Sequence, residues 1–411
     1  MAGAGRKTRK HTVACHRQLL QAPGGSVSEA VLTARQRRVS LGAVIAATFG
    51  VGAFLGISMP LPSLILERWG VSAWLIGLNG AMPSFAVLVL GPFLAGVVKQ
   101  VGARTAMLGG FLIASVSILL MPLLPDLGIW FVLRFLMGFG MAMPWLVGET
   151  WINAIAQDHN RARMVGLYTA VLFLGMAVGP LVLQATDVTG FAPFLLGVGA
   201  LMLAALPLIA AWHLIPPIDH APSMRLAQVI RQAPTVAGAA LIAGLSESTF
   251  YFLLPVYGLR TGLEQGSALT LLSVLIVGGI VLQYPIGWIA DRMDRRRLLI
   301  AMAVVATLAT PLVALAGVVA WASWPVLFLL GGLSLGYYGV GLALLGARFG
   351  PGDLAVANAA FIVLYEGGSF VGPTLAGTAM DLWNPHGYLV FLAVTSIAYA
   401  LLALYRTARA P

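Results

Sequence analysis

Apolar residues run through this chain in long blocks, and short polar or proline-containing breaks separate them. The blocks fall at 40–66, 73–98, 105–124, 128–151, 164–186 and 192–214, and again at 235–259, 267–289, 298–320, 324–347, 355–379 and 387–405. Each is near the ~20 residues that a helix needs to cross the hydrocarbon of a bilayer. In lipid a helix satisfies its own backbone, so blocks of this length predict membrane-spanning helices. Between the sixth and seventh blocks lies a polar stretch, 215–234, carrying Pro216, Pro217, Asp219, His220, Arg225 and Arg231. The pattern predicts six spans, a linker and six spans.

Two short strings recur at nearly one offset. Gly175-Met-Ala-Val-Gly179-Pro180 returns as Gly368-Ser-Phe-Val-Gly372-Pro373, 193 residues later. The loop Lys99-Gln-Val-Gly102-Ala-Arg104 returns as Asp291-Arg-Met-Asp294-Arg-Arg296, 192 residues later. A unit of this size used twice predicts an all-α membrane protein of twelve helices in two pseudo-symmetric six-helix halves, 40–214 and 235–405. Internal duplication of this kind underlies many transporter folds. Glycines four apart lay a flat stripe on one helix face, where a neighbouring backbone can approach closely. The proline that follows removes a donor and bends the helix.

Composition removes the soluble alternatives. Apolar residues are 59% of 411 and charged residues 9%, against about 25% charged in a soluble domain. Mean hydropathy is +0.92. The net charge of +10 is mainly a property of the first 39 residues, which hold eight Lys/Arg and one Glu. That tail lacks the apolar core of a secretory signal. It reads either as a disordered cytoplasmic arm drawn to anionic lipid or as an over-long translation start. With the N-terminus inside, 21 of the 24 Lys/Arg fall in the two tails and the cytoplasmic loops, leaving Arg68, Arg134 and Arg260. The positive-inside rule therefore predicts a multi-pass protein of the inner (plasma) membrane with both termini, including 406–411, in the cytoplasm.

The one cysteine, Cys15, excludes an internal disulfide. The six histidines are scattered, and no phosphate-cradling glycine loop precedes a Lys-Ser/Thr pair. No cofactor, metal, nucleic-acid or enzymatic function is expected. The expected partners are a small molecule, protons and the lipid bilayer, with the protein acting as a monomer.

The repeated strings carry a resemblance. Gly166, Gly175, Gly179 and Pro180 are spaced as in the fifth-helix signature of the major facilitator superfamily, in its drug/proton antiporter branches. Gly287-Trp-Ile-Ala-Asp291-Arg292-Met-Asp294-Arg295-Arg296 is similar to that superfamily's short cytoplasmic loop, with Asp294 in place of glycine. Lys99 replaces the aspartate in the first copy. The stretches Glu149-Thr-Trp-Ile-Asn153, Leu253–Arg260 and Ala357-Asn358-Ala359 resemble its YcaD-like branch. The resemblance implies alternating access between two halves. It implies a cytoplasmic gate at Asp291, Arg292, Arg295, Arg296 and Glu149, and a cavity lined mainly from the first, fourth, seventh and tenth spans. Met137, Met141, Trp145, Tyr251, Tyr337 and Tyr338 are candidates for its wall, with Gln283 and Tyr284 from the eighth span. Soft apolar and aromatic side chains of this kind suit an amphipathic solute better than a sugar.

Charges inside the membrane cost at least about 2.5–3.5 kcal/mol each on insertion scales and need a reason. Glu247 and Glu366 lie midway along the seventh and eleventh blocks, and Arg134 in the outer third of the fourth. Their repeat counterparts are Phe54, Phe173 and Leu327. The glycines are shared between copies and read as scaffold; the charges are private and read as proton-coupling candidates. For Arg134 the resemblance points the same way, because the superfamily's fourth-span arginine is linked to proton transfer in antiporters. Export of an amphipathic solute by proton antiport is the expected function, with uptake by symport or facilitated diffusion as the alternative.

Overall fold

The computed structural model describes residues 33–155, 161–211, 230–349 and 351–408. Two compact units divide the chain, Met1–Arg38 and Val39–Pro411. In the first, the Thr33 hydroxyl accepts from the Gln36 amide at 3.2 Å, and the Gln36 side chain accepts from the Thr33 amide at 2.9 Å. This reciprocal cap opens a helix at Ala34, so the last residues of the expected tail are helical. The rest of the tail and most of the polar linker lie outside the described residues.

The second unit is a bundle of helices, and no strand occurs among the described residues. Twelve are long and apolar enough to span a membrane. The first span is broken: one helix runs Ala34–Ser58 and a second Pro60–Arg68. The next five are Ala73–Val101, Ala103–Leu123, Leu127–Ile155, Arg161–Gln184 and Ala192–Ala210. The seventh to ninth begin at Pro234, Gln265 and Arg295. The ninth is α-helical only to Ala309 and continues as a 3-10 turn, Thr310–Gly317; a second 3-10 turn, Ala320–Ser323, leads into the tenth span. The break falls at Pro311, which has no amide hydrogen to continue the ladder. The last three helices are Trp324–Arg348, Pro351–Leu382 and Gly387–Ala408. With an even number of spans, both ends of the bundle lie on one face, here the terminal face; the opposite one is the far face.

The repeated glycines sit where helix backbones approach closely. A methyl group on Gly175 would strike the backbone of the first span at Phe49, and one on Gly179 the backbone at Gly56. In the second copy a methyl group on Gly368 would strike the seventh span at Leu241, and one on Gly372 would lie 2.6 Å from the Leu245 carbonyl oxygen. The fifth span thus lies on the first as the eleventh lies on the seventh. The halves meet through the same operation. The second span touches the eleventh where Gly77 faces the Pro373 carbonyl. The fifth touches the eighth where Ser273 donates to the Ala177 carbonyl (3.2 Å) and Gln184 to the Thr270 hydroxyl (3.1 Å).

Candidate functional site

Glu247 sits in the middle of the seventh span, 5% exposed. Its two oxygens are held separately: Tyr251, one turn along, donates to Oε1 at 2.8 Å, and Tyr365 of the eleventh span donates to Oε2 at 3.0 Å. The glycine stripe makes this possible, because Gly244 lets the eleventh span's backbone approach at Tyr365. A small pocket, with room for about one water, borders the carboxylate and is lined also by Phe173, Tyr251, Leu275, Gly331 and Ser334. Glu366, the residue after Tyr365, points the other way, toward the Ser84 hydroxyl of the second span. One carboxylate is therefore internal to the second half and the other lies across the junction between halves. Neither has an ion-pair partner among the described residues.

Tyr338 of the tenth span joins the group. Its ring stands edge-on to Tyr365 (5.4 Å) and Phe361 (5.2 Å). Glu149, Glu247 and Glu366 all lie within electrostatic reach of its hydroxyl. Glu149 accepts from the Trp145 indole. Trp145 also borders a second small pocket, lined by Thr48, Met107, Phe111, Gly148 and Tyr168 of the first half.

The far face is held by charges at span ends, two of them, Arg68 and Arg260, among the basic residues left over from the cytoplasmic face. Arg260, at the end of the seventh span, grips Glu67, at the end of the first, through two bonds of 2.8 and 2.9 Å. Its guanidinium also reaches Asp381 at 3.2 Å. Asp381 in turn accepts from the amides of Ala73 and Trp74, each at 2.9 Å. These are orphan donors at the start of the second span, where a carboxylate also meets the positive end of the helix dipole. Nearby, Arg68 donates to Gln265 at 2.7 Å and lies 3.5 Å from Asp187. The Asp187 carboxyl is held below its ordinary range, first by the Thr189 amide and hydroxyl and then by Arg68. Glu67 and Arg260 are 193 residues apart, which is the repeat offset. Residues that correspond under a two-fold operation and also touch must lie on the axis, so this pair marks the pseudo-symmetry axis at the far face.

The sequence pattern of the Major Facilitator Superfamily matches residues 42–340 and, in a second register, 236–411. The chain belongs to this superfamily. It is a transporter, not an enzyme, and a multi-pass membrane protein. YcaD of Escherichia coli O45:K1 (strain S88 / ExPEC) is 28% identical over 355 residues, covering 85% of this chain and 90% of that protein. A transporter of the same type from Enterobacter sp. (strain 638) is 28% identical over 354 residues, with the same coverage. Both are described as uncharacterised. Crystal structures of the nucleoside transporter NupG share the fold: TM-score 0.73 at 13% identity for a point mutant, and 0.71 at 12% for the protein without that substitution. The first covers 90% of this chain and 99% of that one.

Within this superfamily fold the remaining candidates scatter. Met137 is buried and Met141 half-buried. Tyr251 lines the pocket beside Glu247, but Tyr337 turns inward against Tyr399 of the twelfth span (5.7 Å). Tyr284 is 81% exposed; Gln283 is half-buried beside Gly339. On the terminal face, Asp294 caps the ninth span by accepting from the Arg296 and Arg297 amides, both at 3.0 Å. Asp291 and Arg295 are 3.8 Å apart, Arg295 donates to the Ala343 carbonyl at 3.1 Å, and Arg292 lies 3.8 Å over the Trp288 ring. These contacts of the loop stay inside the second half. Phe173, Ser334, Glu67 and Asp381 were missed as site residues. The repeat offset between Glu67 and Arg260 was the available signal for that pair.

Proposed function

We propose that this protein is a proton-coupled secondary transporter of the inner membrane that exports a small amphipathic organic solute by alternating access. The observation that carries the reading is the pair of carboxyl groups, Glu247 and Glu366, set within the bundle without an ion-pair partner among the described residues. An uncompensated charge at that depth is expensive. A proton or a positively charged group of the solute removes the cost, and competition between the two couples their movements. The same electrostatics disfavours anionic solutes. The two tyrosine hydroxyls can hold Glu247 in place whichever ligand it carries.

The basic loops support a cytoplasmic terminal face. The latched far face is then the side closed to the exterior. In the opposite state Asp291, Arg292, Arg295, Arg296 and Glu149 are the groups available to close the terminal face, and the protein does this as a monomer. Uptake by symport or by facilitated diffusion uses the same framework and is the second reading; the likeness to NupG concerns the fold and does not favour either direction.

A thermal-shift screen of amphipathic cations, neutral solutes and nucleosides against purified protein selects the probe. Its flux is then followed in everted and right-side-out vesicles. Antiport predicts accumulation in energised everted vesicles, loss of that accumulation when the proton gradient is dissipated, and loss in both Glu247→Gln and Glu366→Gln. Undiminished proton-driven flux in the two variants would refute the proton-carrier assignment. Accumulation only in right-side-out vesicles would establish uptake.

A further inference from the structure

Arg134 in the fourth span is 1% exposed, and its guanidinium donates to backbone carbonyls of two other spans. Nη1 donates to the Ser58 carbonyl at 2.9 Å, Nη2 to the Gly80 carbonyl at 3.2 Å and Nε to the Asn79 carbonyl at 3.4 Å. The ring of Phe252, from the seventh span, covers the guanidinium at 5.2 Å. The burial excludes an interfacial arginine reaching out to water.

The choice of carbonyls has a cause in the sequence. In an α-helix the carbonyl of residue i accepts from the amide of residue i+4. For Ser58 that residue is Pro62, and for Asn79 it is Pro83. Neither has an amide hydrogen, so both carbonyls lose their helical partner. In the low-dielectric interior such a group must be satisfied from elsewhere. Gly80 keeps its ordinary partner position at Ser84 and takes the third bond in addition. The approach is set by Gly138, one turn from Arg134 on the same face, where a methyl group would collide with the backbone of Pro83.

We propose that Arg134 is a positioning residue: it supplies, from the fourth span, the donors that Pro62 and Pro83 remove from the first and second, and so ties the far ends of the three helices into one body. Those two spans carry Glu67 and the Ala73 and Trp74 amides, the first-half members of the far-face latch. Phe252, which also packs on Gly80, brings the seventh span to the same point. The guanidinium therefore fixes the register in which the latch closes, and its charge need not be relayed to do so.

The test is a coupling experiment in the full chain. Arg134→Met and Arg134→Lys are made in the native background and together with Pro62→Ala and Pro83→Ala, which restore the two missing amides. Melting in detergent is measured, together with the spin-label distance between Leu124→Cys and Trp383→Cys with Cys15→Ser. Arg134→Met should lower the melting temperature by at least about 5 °C and broaden the far-face distance. The two alanines should recover at least half of both changes, and Arg134→Lys should fall between. Equal losses in the proline and alanine backgrounds would overturn the proposal, as would an Arg134→Met protein that melts and latches like the parent. If Arg134→Met yields no folded protein with the prolines, recovery of monodisperse protein with the alanines supports the proposal. If it folds in neither background, Arg134→Lys decides: a smaller loss with the alanines supports the clamp, and an equal loss refutes it.

Discussion

Removing Arg260 should open the far face, and the size of the effect follows from how that residue is held. Its guanidinium makes two parallel bonds to Glu67 at 2.8 and 2.9 Å and one to Asp381 at 3.2 Å. The side chains of Arg260 and Glu67 are 14% and 18% exposed. An exposed pair contributes about 0–1 kcal/mol, whereas breaking a buried one costs about 3–5 kcal/mol. A bidentate pair at this depth falls between, at about 2 kcal/mol. Since ~1.4 kcal/mol is a factor of ten, Arg260→Gln should shift the ratio of latched to unlatched protein about 30-fold. The pair lies on the pseudo-two-fold axis and joins the halves, so this energy weighs on the rocking equilibrium itself. Spin labels at positions 124 and 383, on opposite halves of the far face, report the two populations. Glu67→Gln, Arg260→Gln and the double variant form a cycle, in which the double should show clearly less than the sum of the two singles. A shift under about threefold in Arg260→Gln, or full additivity, would refute the latch.

Other expectations rest on separate contacts. Gly179→Leu should sharply reduce the yield of folded protein because the side chain has no space against Gly56, and Gly372→Leu should do the same against Leu245. Gly166→Leu, with nothing within 4 Å of its added carbon, should express normally; fluorescence-detected gel filtration compares the three. Asp294→Ala removes a cap that accepts two amides and should cost about 1 kcal/mol, read as a small loss of melting temperature with the far-face distance unchanged. Tyr365→Phe removes one of the two bonds to Glu247. It should alter the pH at which proton-coupled flux is half-maximal while leaving expression intact; an unchanged pH profile would show that this hydroxyl does not act on the carrier.

The twelve spans, the duplication and the spacing of its glycines were legible in the chain because each is a local property. Hydropathy sums over neighbours, and a glycine four residues from another lies on the same helix face wherever the helix goes. The ends of elements were less legible: the Thr33–Gln36 cap extends the first helix into the expected tail, and Pro311 turns the ninth span into 3-10 geometry. The deep carboxylates were also visible, since a charge in an apolar block stands out without knowledge of its neighbours.

The partners of those charges were decided by packing alone. That Tyr365 serves Glu247 while Glu366 faces Ser84 depends on how the eleventh span is rotated between the seventh and the second. Arg134 stands in the sequence as a lone cation, and only the approach of Gly138 to Pro83 brings it to the carbonyls that two prolines had stripped. Glu67 and Arg260 look like unremarkable span-end charges until the pseudo-two-fold axis places one against the other. By itself the sequence determines which segments enter the membrane, because transfer free energy accumulates along the chain. Which charge answers which is settled by the rotation and contact of helices far apart in the chain.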